Sequence, residues 1–265
     1  MAEVKLVDRN ILLLGRVSEA GRLVYTHAVS AVFVYPGPAS LAPSEAPKVL
    51  LSWSSGKDSA WALHVLRERS DVQVVGLLTT VNQAFERVAM HAVRIELVRA
   101  QAEAAGLPLW VVQIPNPCSN DEYESVMREA MEYAHREGIG AVAFGDLFLE
   151  DVRRYREERM RETGITPIFP LWGLPTPDLG RTMIASGLKA YITCVDPKQI
   201  PAGFAGRSYD YDFLDMLPVS ADPCGERGEF HTFVHDGPMF SRPVAVRPGE
   251  VVERDGFVFA DLVPA

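Results

Sequence analysis

The stretch Val49-Leu50-Leu51-Ser52-Trp53-Ser54-Ser55-Gly56-Lys57-Asp58-Ser59 decides the fold. Its apolar start reads as a buried strand, and the residues from about Asp58 to Arg69 read as a helix. Between them lies a turn built of serine and glycine. Ligands of an open α/β sheet bind at the carboxyl ends of the strands, so this turn lies where a phosphate site belongs. Small residues let successive backbone N–H groups converge on phosphate oxygens, and the helix N-terminus adds a partial positive charge. Lys57 brings a full charge, and the hydroxyls of Ser54, Ser55 and Ser59 add donors. Asp58, at the helix start, either caps free N–H groups or holds a magnesium ion.

The loop is not a Walker A motif. That motif needs glycine where this chain has Leu51, and serine or threonine where it has Asp58. The order Gly56-Lys57-Asp58-Ser59 marks the pyrophosphatase type of loop. Such a loop grips the β and γ phosphates of ATP and leaves the α phosphorus open to attack. Cleavage between the α and β phosphates is the expectation.

Outward from the loop, apolar runs alternate with amphipathic stretches, the pattern of a parallel sheet with crossover helices. Strands are expected at 49–53, 72–81, 109–114, 141–144 and 165–169. Helices are expected from about 58 to 69, from 91 to 105 with Gly106 as its stop, from a Ser119 cap to Glu137, and from 150 to 162. A short helix over 176–186 and strands at 190–195, 230–234, 244–246 and 257–262 follow, in a region dense in Gly, Asp, Pro and aromatics. Residues 11–14 and 31–35 are strand-like, and 36–47 form a Pro/Ser/Ala-rich linker. The expected fold class is α/β: a doubly wound, mostly parallel, Rossmann-like sheet with a smaller C-terminal α+β lobe and an N-terminal extension. The expected boundaries are 1–47 for the extension and linker, 48–172 for the ATP-binding domain and 173–265 for the smaller substrate lobe.

The net charge of −9 sets the chain against long nucleic acid as a partner. The clearest basic run, Arg153, Arg154, Arg156, Arg159 and Arg161, is interleaved with Glu157, Glu158 and Glu162, and reads as a solvated helix face. Three cysteines, Cys118, Cys194 and Cys224, include no C-x-x-C pair. That count points to a reducing, cytoplasmic location. No apolar run approaches the roughly 18–20 residues that span a bilayer, so no membrane is expected. Glu3 and Asp8 before the first apolar stretch argue against a secretory signal.

The loop is joined by Arg87-Val88-Ala89-Met90-His91, Gly145-Asp146, Pro170-Leu171-Trp172-Gly173 and a long string from Asp222-Pro223-Cys224-Gly225-Glu226 through Arg227-Gly228-Glu229-Phe230-His231-Thr232-Phe233. Together they resemble the diphthine–ammonia ligase family of ATP pyrophosphatases, over about 49–240. The resemblance implies an adenine nucleotide alpha hydrolase-like domain. It also implies ATP, Mg2+, ammonia and a carboxylate substrate, which is diphthine on translation elongation factor two in an archaeal or eukaryotic owner. The acid would attack the α phosphorus to give an acyl-adenylate and pyrophosphate, and ammonia would then displace AMP. Ser55 stands where many such loops have glycine, a departure that serine tolerates if the position needs no positive φ.

Candidate residues follow. Lys57, Asp146, Glu229 and His231 are the expected catalytic group. Ser54, Ser55, Gly56, Lys57, Asp58, Ser59 and His91 are expected to bind nucleotide, and Glu226, Glu229 and Thr232 the acid. Asp146 ends an apolar strand at the sheet's carboxyl edge; it binds magnesium or an ammonium-bearing substrate there, or caps the next helix. Glu229 and His231, two apart on a strand, would face one cleft. Glu226 is a substrate ligand or part of a hydrogen-bonded turn. His91, with Arg94, meets phosphate or AMP, or packs. Cys224 reads as a structural or substrate-lining thiol, having no activating partner in sequence. Two other readings stand beside the ligase: a tRNA-modifying enzyme on the same nucleotide domain, and a nucleotide-binding regulatory module without turnover.

Overall fold

The computed structural model describes residues 3–8, 11–17, 23–24, 32–37, 46–82, 87–88, 93–115 and 117–265. The elements, in order, begin with strands β1 (Glu3–Asp8), β2 (Ile11–Val17), β3 (Leu23–Val24) and β4 (Val32–Tyr35). Then come β5 (Lys48–Ser52), α1 (Lys57–Arg67), β6 (Gln73–Asn82), β7 (Arg87–Val88), α2 (Ile95–Ala105), β8 (Leu109–Ile114) and α3 (Asn120–Arg136). β9 (Ala141–Ala143), α4 (Glu150–Met160), β10 (Thr166–Ile168) and α5 (Thr176–Ala185) lead to β11 (Lys189–Val195) and α6 (Tyr211–Met216). The last strands are β12 (Phe230–Asp236), β13 (Val246–Arg254) and β14 (Phe257–Pro264).

β8, β6, β5, β9 and β10 lie side by side in that order, every neighbouring pair parallel. The chain enters this parallel sheet at β5 and extends it first to one side and then to the other. The order therefore reverses between β5 and β9, where doubly wound sheets bind ligands. Both faces are covered, so Val49, Leu50 and Leu51 of β5 have no exposed surface. Val49 and Leu51 pack with α1 and α2, whereas Leu50 packs with residues of α3 and with Met160 of α4. The expected α/β class is what the chain adopts.

Local signals placed the helix ends. Ser119 and Glu122 form a reciprocal capping box at the start of α3. Gly106, at φ 69°, ends α2 in the left-handed conformation. The N-terminal extension is more than an appendage: β4 pairs antiparallel with β8, and β2 and β1 continue the sheet beyond it.

The second sheet runs β12-β11-β14-β13 and is antiparallel. It shares one apolar cluster with the first: Trp53, α1 and α2 pack in the same body as Phe230 and Phe233 of β12. The smaller lobe thus sits on the α1/α2 face, next to the Ser/Gly loop. Among the described residues no helix is long and apolar enough to cross a membrane.

Candidate active site

The loop joins β5 to α1 with Gly56 in the N-cap position, a residue with no side chain to cap the helix. Its hydroxyls are knitted inward. Ser54 Oγ lies 3.1 Å from Ser59 Oγ, and Ser59 Oγ donates to the Gly56 carbonyl at 3.0 Å. Ser55 has φ 70°, so the condition under which serine would be tolerated freely there is not met. The left-handed conformation turns the chain sharply enough to bring the following N–H groups to the head of α1, and a glycine would adopt it at less cost. Ser55 is fully buried, and its Oγ has no hydrogen-bond partner among the described residues. A Cβ added at Gly56 would lie 3.2 Å from the Thr232 carbonyl, which is why no side chain stands there.

The string from Asp222 to Thr232 closes over the loop. The backbone N–H of Lys57 donates to Thr232 Oγ1 at 3.0 Å, and the N–H of Val234 donates to the Ser55 carbonyl at 3.0 Å. Lys57 is 2 % exposed. Its ammonium donates to both carboxylate oxygens of Asp58, at 3.0 and 2.9 Å, and to the carbonyl of Cys224. Burial works against that charge, but Asp58 first, then Cys224 and Glu226, together outweigh it and hold the lysine pKa above its ordinary value. The rings of Phe230 and Tyr209 lie 5.3 and 5.7 Å from the ammonium.

A carboxylate scaffold supports this string. Asp222, 5 % exposed, accepts from the N–H groups of Cys224 (2.9 Å) and Glu226 (3.3 Å) and from the Thr176 hydroxyl (2.5 Å). Glu229, 1 % exposed, accepts from the N–H groups of Asp222 (2.7 Å) and Arg227 (3.0 Å). Glu229 therefore ties the two ends of the turn together with both its oxygens. Glu226 reaches the other way, accepting from the Leu147 N–H at 2.8 Å, and so joins the string to the end of β9. Burial pushes its carboxyl up to about 7, with the charges of Asp58 and Asp146 adding to the shift. His231 pairs in register with Cys194 of β11. Burial first, and the Lys57 charge second, bring its imidazole down to about 4, so it is neutral at pH 7.

Asp146 follows β9, where Gly145 lets the chain press against α1: a Cβ at Gly145 would lie 2.9 Å from the Asp58 carbonyl carbon. The Asp146 carboxylate is held at two points by Arg156 of α4. The basic run on α4 is largely spent on such pairs, Arg153 with Glu157 and Arg159 with Glu124 besides. Asp58 and Asp146, the expected magnesium ligands, are thus each engaged by a cation. Among the described residues no group of three Asp, Glu, His or Cys side chains is placed to hold a metal ion. These residues do not fit a resident metal centre.

Ser54, Ser55, Gly56, Lys57, Asp58, Ser59, Glu226, Glu229 and Thr232 are brought to one place, and Asp146 is linked to it through Glu226. His91 lies outside the described residues, while Arg94 forms an ion pair with Asp261 at 2.6 Å. Cys224 is buried, its thiol pushed up to about 12 mainly by that burial, which fits a structural thiol. Gln101 was not singled out from the sequence, and Arg156 was read only as part of a solvated basic face. Gln101 had a signal: a polar residue one helical turn after Leu97, on the apolar face of α2.

Comparison with known families and proteins identifies the family. Residues 47–167 match the diphthamide synthase N-terminal domain, and residues 176–259 match the diphthamide synthase C-terminal domain. The human protein named diphthine–ammonia ligase is 26 % identical over 236 residues, covering 79 % of this chain and 86 % of its own length. The rat protein of that name is 27 % identical with the same coverage. Its fission yeast namesake is 25 % identical over 224 residues, 78 % of this chain and 37 % of its own length. With both domain models matched in order, the chain belongs to the diphthamide synthase family, whose curated members here are diphthine–ammonia ligases.

Proposed function

We propose that this chain is an ATP-dependent ligase that joins a carboxylic acid to ammonia, the acid being diphthine as in the names of its relatives. A carboxylate oxygen of the acid bonds to the α phosphorus of ATP, the bond from that phosphorus to the bridging oxygen breaks, and pyrophosphate leaves. Ammonia then bonds to the acyl carbon, AMP leaves with the shared oxygen, and the nitrogen loses a proton. The observation that carries this reading is the hydrogen bond from the Lys57 N–H to Thr232. It sets the string from Asp222 to Thr232 directly on the pyrophosphatase-type loop.

The division of labour follows from the site. The head of α1 and Lys57 supply the positive field that a departing pyrophosphate needs. Magnesium enters with ATP as part of the substrate. Glu226, whose carboxyl titrates near neutrality, is the group assigned to take the proton from the attacking ammonia. Glu229 and Thr232 hold the loop that carries Glu226, and His231 contributes a neutral lining. Residues 48–172 act as the nucleotide domain and 173–265 as the lobe that bears the acid site. A cytoplasmic location is part of this proposal.

The test is to incubate the purified chain with ATP, Mg2+, ammonium and diphthine-bearing elongation factor, and to follow AMP and pyrophosphate. Acid-dependent release of both, with an amide product, is expected. Release of ADP and phosphate, or no dependence on the acid, would overturn the reading. Lys57→Ala is expected to abolish ATP binding.

A further inference from the structure

Resting on the nucleotide reading above, we infer that Gln101 is a positioning residue for the phosphate loop, acting through the Ser55–Gly56 peptide. Gln101 lies on the core face of α2 and has no exposed surface. A primary amide has two donor hydrogens and an acceptor oxygen, and burying it unpaired is costly. Here all three functions are used. Oε1 accepts from the Trp53 indole N–H at 2.8 Å, while Nε2 donates to the Ser55 carbonyl at 3.0 Å and to the Val234 carbonyl at 2.7 Å. One side chain therefore ties the strand end, the turn and β12 to α2.

The consequence lies in the peptide plane. The Ser55 carbonyl accepts from two directions, from Gln101 and from the Val234 N–H. In a trans peptide the C=O and N–H point to opposite sides. With its carbonyl pinned toward α2 and β12, this peptide must send the Gly56 N–H to the other side, where Ser54 Oγ lies at 3.4 Å. That is the direction a phosphate-cradling N–H needs. This orientation occurs with a φ of 70° at Ser55, and Gln101 helps to hold the residue through its carbonyl. A leucine or methionine would fill the same space in an otherwise apolar stripe. It would leave two carbonyls and an indole N–H short of a partner.

Gln101→Glu separates these functions, because a carboxylate still accepts from Trp53 but cannot donate to either carbonyl. At pH 7.5 this variant is expected to bind ATP about 10- to 100-fold more weakly. Part of that loss should return as acid protonates the new carboxyl and restores one donor. Amide hydrogen exchange at residues 54–57 should quicken in the absence of nucleotide. Gln101→Met, with no donor at all, should weaken ATP binding similarly without the pH-dependent recovery, and it serves if the glutamate variant fails to fold. Leu97→Ala, a cavity on the same helix face, is the control: it should lower stability and leave ATP affinity within about threefold. A folded Gln101→Glu or Gln101→Met protein with unchanged ATP affinity overturns the inference, as does an equal loss in Leu97→Ala. If the unaltered protein binds no ATP while exchange at 54–57 still quickens in the variants, the positioning role stands and the nucleotide reading falls.

Discussion

Asp146 and Arg156 are locked in a two-point ion pair, with guanidinium Nε 2.6 Å from one carboxylate oxygen and Nη2 3.1 Å from the other. The side chains are 13 % and 31 % exposed, so the pair is sheltered but not dry. The guanidinium also stacks 4.3 Å from the Phe144 ring centroid. Planar geometry of this kind exceeds a solvent-exposed pair in strength. A double-mutant cycle of Asp146→Asn and Arg156→Gln, read by urea unfolding, is expected to give a coupling of about 1–2 kcal/mol. A coupling near zero would mean that the two charges meet without consequence and that Asp146 is free for another cation.

Ser55 carries two local costs at once, a left-handed backbone and a buried hydroxyl without a partner among the described residues. Replacing it with glycine removes both, at the expense of a more flexible unfolded chain. Ser55→Gly is expected to stabilise the protein by about 1 kcal/mol, seen as a raised thermal midpoint. Ser55→Val, branched at Cβ, should lower the midpoint instead. If the glycine variant melts at a lower temperature, the hydroxyl has an energetic role that these contacts do not supply.

The sequence marked the parallel sheet clearly, because its strands are apolar runs bracketed by breakers: Pro108 and Pro115 enclose β8. β13 was harder. It contains Pro248 and Gly249 and is largely exposed, so it lacks the alternation that marks a half-buried strand, and only its first residue was anticipated. α6 is six residues long, too short for an apolar period to declare itself, although Asp210 caps it. The candidate site was legible as motifs but not as contacts. That Lys57 turns toward Cys224, or Asp146 toward Arg156, depends on which loops the sheet brings together. The backbone of Ser55 was left open for a different reason. A positive φ is set by neighbours far along the chain, here Val234 and Gln101, and serine alone does not reveal it.

Glu229 gives the sharpest contrast between a reacting group and a holding group. Its two oxygens accept from a buried backbone N–H, that of Asp222, and a part-buried one, that of Arg227, and hydrogen bonds to a charged group are worth about 1.5–3 kcal/mol each. Glu229→Gln can still accept at one of them. It is expected to lose about 2 kcal/mol of stability and to keep a reduced turnover with an unchanged pH–rate shape. Glu229→Ala should lose more stability and all turnover while ATP binding survives. A pH–rate profile that loses one limb in Glu229→Gln would make Glu229 a proton-transfer residue instead.

Glu226 sets the pH behaviour of the folded state. Its carboxyl titrates at about 7 in the protein and near the ordinary 4.5 when unfolded, chiefly because burial disfavours the charge. The folded state therefore holds a proton that the unfolded state has released across this window. The resulting stability is fully present below about pH 4.5 and is lost as pH rises through about 7. His231 works in the opposite sense. Its depressed value near 4 means that stability present above 6.5 is lost as acid protonates the unfolded chain first. The two slopes oppose each other between about 4.5 and 6.5, so His231 no longer offsets the Glu226 effect from 6.5 to 7.5. Thermal midpoints of the unaltered protein are expected to fall across that upper interval, and Glu226→Gln should remove much of the fall. Glu226→Gln should also lose the rise of turnover with pH around 7, since the amide accepts no proton from ammonia. If the variant keeps both the stability slope and the rate profile, neither the burial of the Glu226 charge nor its place in the reaction is as assigned.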